Sequence, residues 1–147
     1  MRDYKKIEAW KLADDLTVAV YQSTRGFPRE EIYGLISQLR RSAYSVPANI
    51  CEGSARGTNK DYLHFLYIAR GSLSETQYFV HLSRRLGYLG GPEADVLEAQ
   101  IKDTFVRLHG LTKAVEKETG KLSRVVALVT SLLVLSATKL FSGTTTL

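Results

Sequence analysis

Along four long stretches of this chain, apolar residues recur three and four positions apart, and a turn containing glycine or proline separates each stretch from the next. That spacing matches the 3.6-residue turn of an α-helix rather than the two-residue alternation of a strand. The first stretch, residues 5–24, carries Trp10, Ala13, Leu16 and Val20, and Arg25-Gly26-Phe27-Pro28 closes it. Glu30 and Glu31 then suit the positive end of a second helix, with Ile36, Leu39, Ala43, Val46 and Ile50 inward. Pro47 falls inside that pattern. Lacking an N–H, it leaves the Ala43 carbonyl without its helical donor, so the helix is expected to kink near Ala43 or to end early.

The turn at residues 57–61 offers Thr58 or Asn59 as the cap of a third helix over about 61–86. Leu63, Leu66, Leu73 and Val80 form its stripe, and Phe65, Ala69, Phe79, Leu82 and Leu86 broaden it. Gly87 and Gly90-Gly91-Pro92 end it. A fourth helix is expected over 93–118, with Leu97, Ile101, Phe105, Leu108, Leu111 and Val115 inward and Gly120 as its stop. No window pairs an alternating pattern with a hairpin turn. The pattern therefore predicts an all-α fold: an antiparallel, up-down-up-down four-helix bundle over residues 1–120. An extra apolar C-terminal tail follows over 121–147.

The tail has 14 uncharged residues between Arg124 and Lys139, fewer than the roughly 20 that a membrane-spanning helix needs. Packing or oligomer contact, a membrane-surface anchor, and a poorly ordered, aggregation-prone appendage all stay open for it, and a membrane role is the less favoured reading.

Chemistry is hard to place on this framework. His64, His81 and His109 are isolated, Cys51 stands alone, and neither a phosphate loop nor a nucleophile elbow is present. The expectation is a protein without catalysis, metal or cofactor. A single cysteine allows no internal disulfide. Together with an amphipathic rather than apolar N-terminus, it points to the cytoplasm.

The net charge of +5 is unevenly spread: +4 over residues 1–91, −2 over 92–120 and +3 over 121–147. Basic residues gather at Arg40-Arg41, Arg56 with Lys60, Arg70, and Arg84-Arg85. Interleaved with tyrosines, they make a candidate surface for RNA or DNA through phosphate neutralisation and base stacking. Two further stripes follow helical spacing. Gln38, Arg41, Ser45, Asn49, Glu52 and Arg56 share one face of the second helix, with Glu52 and Arg56 set to pair. His64, Tyr67, Gly71, Ser74, Tyr78, His81 and Arg85 share one face of the third, as either a helix-contact seam or a solvated face.

The run Tyr33-Gly34-Leu35-Ile36-Ser37-Gln38-Leu39-Arg40-Arg41-Ser42-Ala43 is followed by Ser45-Val46-Pro47-Ala48-Asn49-Ile50-Cys51-Glu52-Gly53 and Arg56. Then come Phe65-Leu66-Tyr67-Ile68-Ala69-Arg70-Gly71-Ser72 and Leu86-Gly87-Tyr88-Leu89. Over residues 4–118 this closely resembles the four-helix-bundle proteins encoded in intervening sequences of bacterial 23S ribosomal RNA genes, a family that includes accessory proteins of diversity-generating retroelements. The resemblance implies a homopentamer, barrel-shaped with basic surfaces. In the retroelement branch it implies binding to nucleic acid and to a reverse transcriptase. Gln38, Asn49 and Glu52 would hold the kinked second helix and its turn, while Arg41, Arg56 and Arg70 would meet an interface or phosphate. Cys51 stands where the family has a small residue, and the tail extends past the family's usual end, so its role is not inherited.

Overall fold

The computed structural model describes the backbone of residues 2–142 and the side chains of residues 2–131. Four helices make the fold: α1 (Glu8–Ser23), α2 (Leu35–Ser54), α3 (Asn59–Arg85) and α4 (Gly91–Ser142). Short 3-10 turns precede α1 and join it to α2, and no strand occurs among the described residues. Contacts between helices give the direction of each. Thr17 meets Ala43 and Thr24 meets Arg40. Ser45 meets Ser72 and Ser42 meets Thr76. Tyr67 meets Glu116 and Arg84 meets Asp95. In each pair of neighbouring helices the residue number rises along one as it falls along the other, so the bundle is antiparallel throughout.

The inward stripes pack as their spacing requires. Leu16, Val20, Leu39, Ala43, Val46, Ile50, Leu66, Leu73, Val80, Leu97, Ile101 and Leu108 are fully or almost fully buried. Truncating one such leucine to alanine costs about 2–5 kcal/mol, depending on how well the cavity collapses. Leu86 is an exception to the expected core: it lies past the last turn of α3 and is 49% exposed.

Pro47 does not end α2, which runs on to Ser54 with the proline inside it. The donor that Pro47 withholds from Ala43 comes instead from α1. The Thr17 hydroxyl lies 3.1 Å from the Ala43 carbonyl and 2.8 Å from the Ala13 carbonyl of its own helix, so its one proton serves both. Further along, Gly53 lets α2 and α3 approach closely. A Cβ there would stand 2.7 Å from Phe65 Cβ and 2.8 Å from the Tyr62 ring. Between these points the seam is polar but satisfied. The Asn49 amide donates to the Ser45 carbonyl at 2.7 Å, Ser72 Oγ bonds Ser45 Oγ at 3.0 Å, and Thr76 Oγ1 lies 3.1 Å from Ser42 Oγ.

Helix ends follow local chemistry. With glycine at the entry to α2, the Glu31 carboxylate accepts from the Leu35 N–H at 3.0 Å. Thr58 caps α3 by accepting from the Asp61 N–H. Gly87 closes α3 with φ +73°: Tyr88 N–H bonds the Ser83 carbonyl and Gly87 N–H bonds that of Arg84, a Schellman motif. Gly120 does not stop α4. It has no positive φ, no proline follows it, and the helix continues to Ser142. Val115 is the last buried residue of α4 among the described residues (4% exposed), and from Gly120 to Ser131 every described residue is exposed. Among the described residues no helix is long and apolar enough to cross a membrane. Of the tail, residues 143–147 and the side chains of 132–142 lie outside the described residues.

Replacing Thr17 with valine should lower the unfolding free energy by about 1–3 kcal/mol, the cost of an orphaned buried carbonyl. Thr17→Ser should retain most of it; urea denaturation measures both. The Tyr62 ring is fully buried and its hydroxyl has no hydrogen-bond partner among the described residues. Burial pushes this phenol above its ordinary pKa, against a smaller opposing pull from Arg2. An acid raised in this way stabilises the fold below its unfolded pKa near 10, and that contribution is lost as pH rises through the folded value. Tyr62→Phe should therefore leave neutral-pH stability unchanged or higher, and should lessen the fall in melting temperature above pH 10.

Candidate nucleic-acid interface

The side chains singled out by the sequence fall on separate faces. At 100° per residue, Lys60, His64, Tyr67, Gly71, Ser74, Tyr78, His81 and Arg85 project from one side of α3, with Arg70 beside them. All nine are exposed. Tyr78 is 58% exposed and Tyr67 41%. Among the described residues Lys60, Arg70 and Arg85 make no ion pair, and the Arg70 guanidinium lies 5.2 Å from the centre of the Tyr67 ring. Tyr67 donates to Glu116 at 2.7 Å, and this bond and partial desolvation raise its pKa. Glu116 is held below the usual carboxylate range by Lys113 at 2.8 Å and then by Tyr67.

Two of the predicted cations are already engaged. Arg84 turns away from Arg85 toward α4, where it bonds Asp95 at 2.8 Å and Glu98 at 3.4 Å, and its charged form is reinforced mainly by Asp95. Arg56 pairs with Glu52 one turn back, as the spacing predicted, and stacks 4.6 Å over the Phe65 ring. Arg41 is exposed on α2 without an ion pair among the described residues. Of the three polar residues, Asn49 bonds Ser45, Glu52 holds Arg56, and Gln38 is exposed with no side-chain hydrogen bond among the described residues.

Arg40 sits elsewhere. Half-buried between α1 and α2, it donates its Nε–H to Thr24 Oγ1 at 2.8 Å and lies 4.7 Å over the Tyr21 ring. Thr24 in turn donates to the Val20 carbonyl at 2.8 Å, so the guanidinium is fixed from both sides. Arg25 and Arg29 line the same cleft of about 560 Å³, and no acidic side chain does. Sequence reasoning took Arg25-Gly26-Phe27-Pro28 only as a helix stop. The signal it passed over is the pair of arginines flanking Gly-Phe-Pro, a turn short enough to hold both at one end of the bundle.

Arg84 and Arg85 should separate by stability. Arg84→Gln removes the link between α3 and α4 and should lower the urea midpoint, whereas Arg85→Gln should leave it unchanged.

Comparison with known proteins gives one family and one fold. Residues 5–110 match the family model of the 23S rRNA-intervening sequence protein. A crystal structure of a protein of unknown function from the S23 ribosomal protein family of Bacteroides thetaiotaomicron superposes with a TM-score of 0.64. The two are 20% identical, and the match covers 71% of this chain and 98% of that one, a likeness of fold. The comparison with curated proteins finds no match. With the model covering most of the bundle, the chain belongs to the 23S rRNA-intervening sequence protein family.

Proposed function

We propose that this chain is a non-enzymatic, self-associating four-helix bundle that binds RNA or DNA through the phosphate backbone. The observation that carries this reading is the outer face of α3, where Lys60, Arg70 and Arg85 have no carboxylate partner among the described residues and exposed tyrosines lie between them. From Lys60 to Arg85 the helix rises about 37 Å, enough to follow several successive phosphates. Family membership supports the reading, and the resemblance to the retroelement branch supports five copies around an axis, which would repeat the row and strengthen its field. An exposed glycine on α4 favours self-association as well. Gly110 weakens a helix interior by about 1 kcal/mol. An added Cβ would meet nothing within 4 Å there, so contacts within the chain do not call for it.

A second reading has its own observation. Tyr78, Phe105 and Val106 line an open cleft of about 740 Å³ between α3 and α4. It would suit a protein partner, such as a reverse transcriptase served by an accessory subunit, with no direct nucleic-acid contact. The lone cysteine favours work in a reducing compartment such as the cytoplasm.

Light scattering should give about five times the 16.4 kDa subunit mass. Affinity for a short structured RNA, followed by fluorescence anisotropy, should fall with salt by about 0.7–0.9 log units per phosphate neutralised for each log unit of salt. Arg70→Glu with Arg85→Glu should weaken binding at least about tenfold and leave the mass unchanged, a loss of 1.4 kcal/mol or more. Affinity that ignores salt would overturn nucleic-acid binding, and a monomer would overturn self-association.

A further inference from the structure

We infer that the cleft between α1 and α2 is a separate binding site for one nucleotide unit, a phosphate group carrying a planar base. Three arginines, Arg25, Arg29 and Arg40, face a volume of about 560 Å³ that no carboxylate lines. A half-buried guanidinium without a counter-ion is an unfavourable arrangement that a bound anion would relieve. Arg40 is also preorganised. Its Nε–H is committed to Thr24, which leaves the N–H groups of both terminal nitrogens for a phosphate, in the forked geometry that arginine offers. Glu31, close by in sequence, is already engaged: it accepts from the Leu35 N–H and from the Tyr88 hydroxyl at 3.3 Å.

The rest of the cleft suits a ring. Tyr44 is 46% exposed and Tyr21 41%, and the Arg40 guanidinium lies over the Tyr21 ring. Ile36 and Phe27 are almost fully buried along the same cleft. Aromatic and apolar surface beside a phosphate-binding cation cluster is the chemistry that holds a base and its phosphate together. A single phosphate is enough here, so the site stands apart from the backbone-tracking row on α3. The nucleotide could be free in solution or a phosphorylated strand end. Both present the same chemistry, and the experiment separates them.

Isothermal titration of the full chain should use adenosine 5′-monophosphate, adenosine and inorganic phosphate, and short single-stranded RNA with and without a 5′-phosphate. Adenosine monophosphate should bind saturably with Kd of about 0.1–1 mM, and adenosine or phosphate alone should bind at least about tenfold more weakly. The double variant Arg25→Gln, Arg29→Gln alters two exposed residues that make no ion pair among the described residues, so it should keep the wild-type urea midpoint. It should bind the nucleotide at least about tenfold more weakly, whereas Arg70→Gln with Arg85→Gln should not. A preference for 5′-phosphorylated RNA that vanishes in the first variant identifies a strand end, and binding of the mononucleotide alone identifies a free one. No saturable nucleotide binding, or binding indifferent to Arg25 and Arg29, overturns the site. Salt-sensitive RNA binding would still stand in that case. Nucleotide binding by a chain that ignores RNA would overturn the α3 reading instead.

Discussion

A hydroxyl on one helix completing the backbone of the next is the contact on which this bundle turns. Pro47 takes a donor from the middle of α2, and Thr17 on α1 supplies one to the Ala43 carbonyl. An uncompensated carbonyl at this depth would cost about 1–3 kcal/mol, a large share of the 5–15 kcal/mol that holds a domain of this kind together. Because the helix continues through the proline, Ile36, Leu39, Ala43, Val46 and Ile50 stay on one face and reach the core together. The same contact fixes where α1 lies along α2, and so places Tyr21 and Thr24 against Arg40.

The opposite side of α2 is built from small side chains. Gly53 admits the Tyr62 ring and the Phe65 Cβ, and the hydroxyls of Ser42, Ser45, Ser72 and Thr76 lie within bonding distance across the seam. Close approach here leaves α3 with its apolar and small residues spent on α2 and the core. What remains on its outer side is the cationic and aromatic row. The basic side chains therefore divide according to helix packing rather than by their proximity in sequence. Adjacent residues part company, with Arg84 drawn to Asp95 and Glu98 while Arg85 faces outward.

How far the sequence carries the structure follows the same physics. Helical spacing located all four helices and most of their core residues, because burial demands that period, though it passed over Ala9, Leu35, Tyr62 and Ala94. Gly87 was legible as a stop, since a left-handed residue followed by a Schellman pairing is what glycine does best at a helix end. Gly120 was not, because a glycine flanked by good helix formers can stay helical at a cost of about 1 kcal/mol. The rescue of Ala43 by Thr17 was hidden for another reason. It joins residues 26 positions apart, and only the packed bundle brings them together. Arg25 and Arg29 were hidden too, since their significance comes from Arg40 across a helix boundary. The row on α3 was readable as a stripe, and so was the pairing of Arg56 with Glu52, but the engagement of Arg84 by Asp95 and Glu98 was not.

The length of α4 has a geometric consequence. The helix is 52 residues long, and its last described contacts with α3 are those of Glu116 with Tyr67 and Glu118 with Asn59; residues 120–131, all exposed, then rise about 18 Å along its axis. Because this stretch continues the packed part of α4 without a break, its heading is set by the bundle. Leu122, Val125, Val126 and Val129 ride along it in the open. A surface that met those side chains would find the bundle held at a set distance and angle, like a mast stepped in a hull.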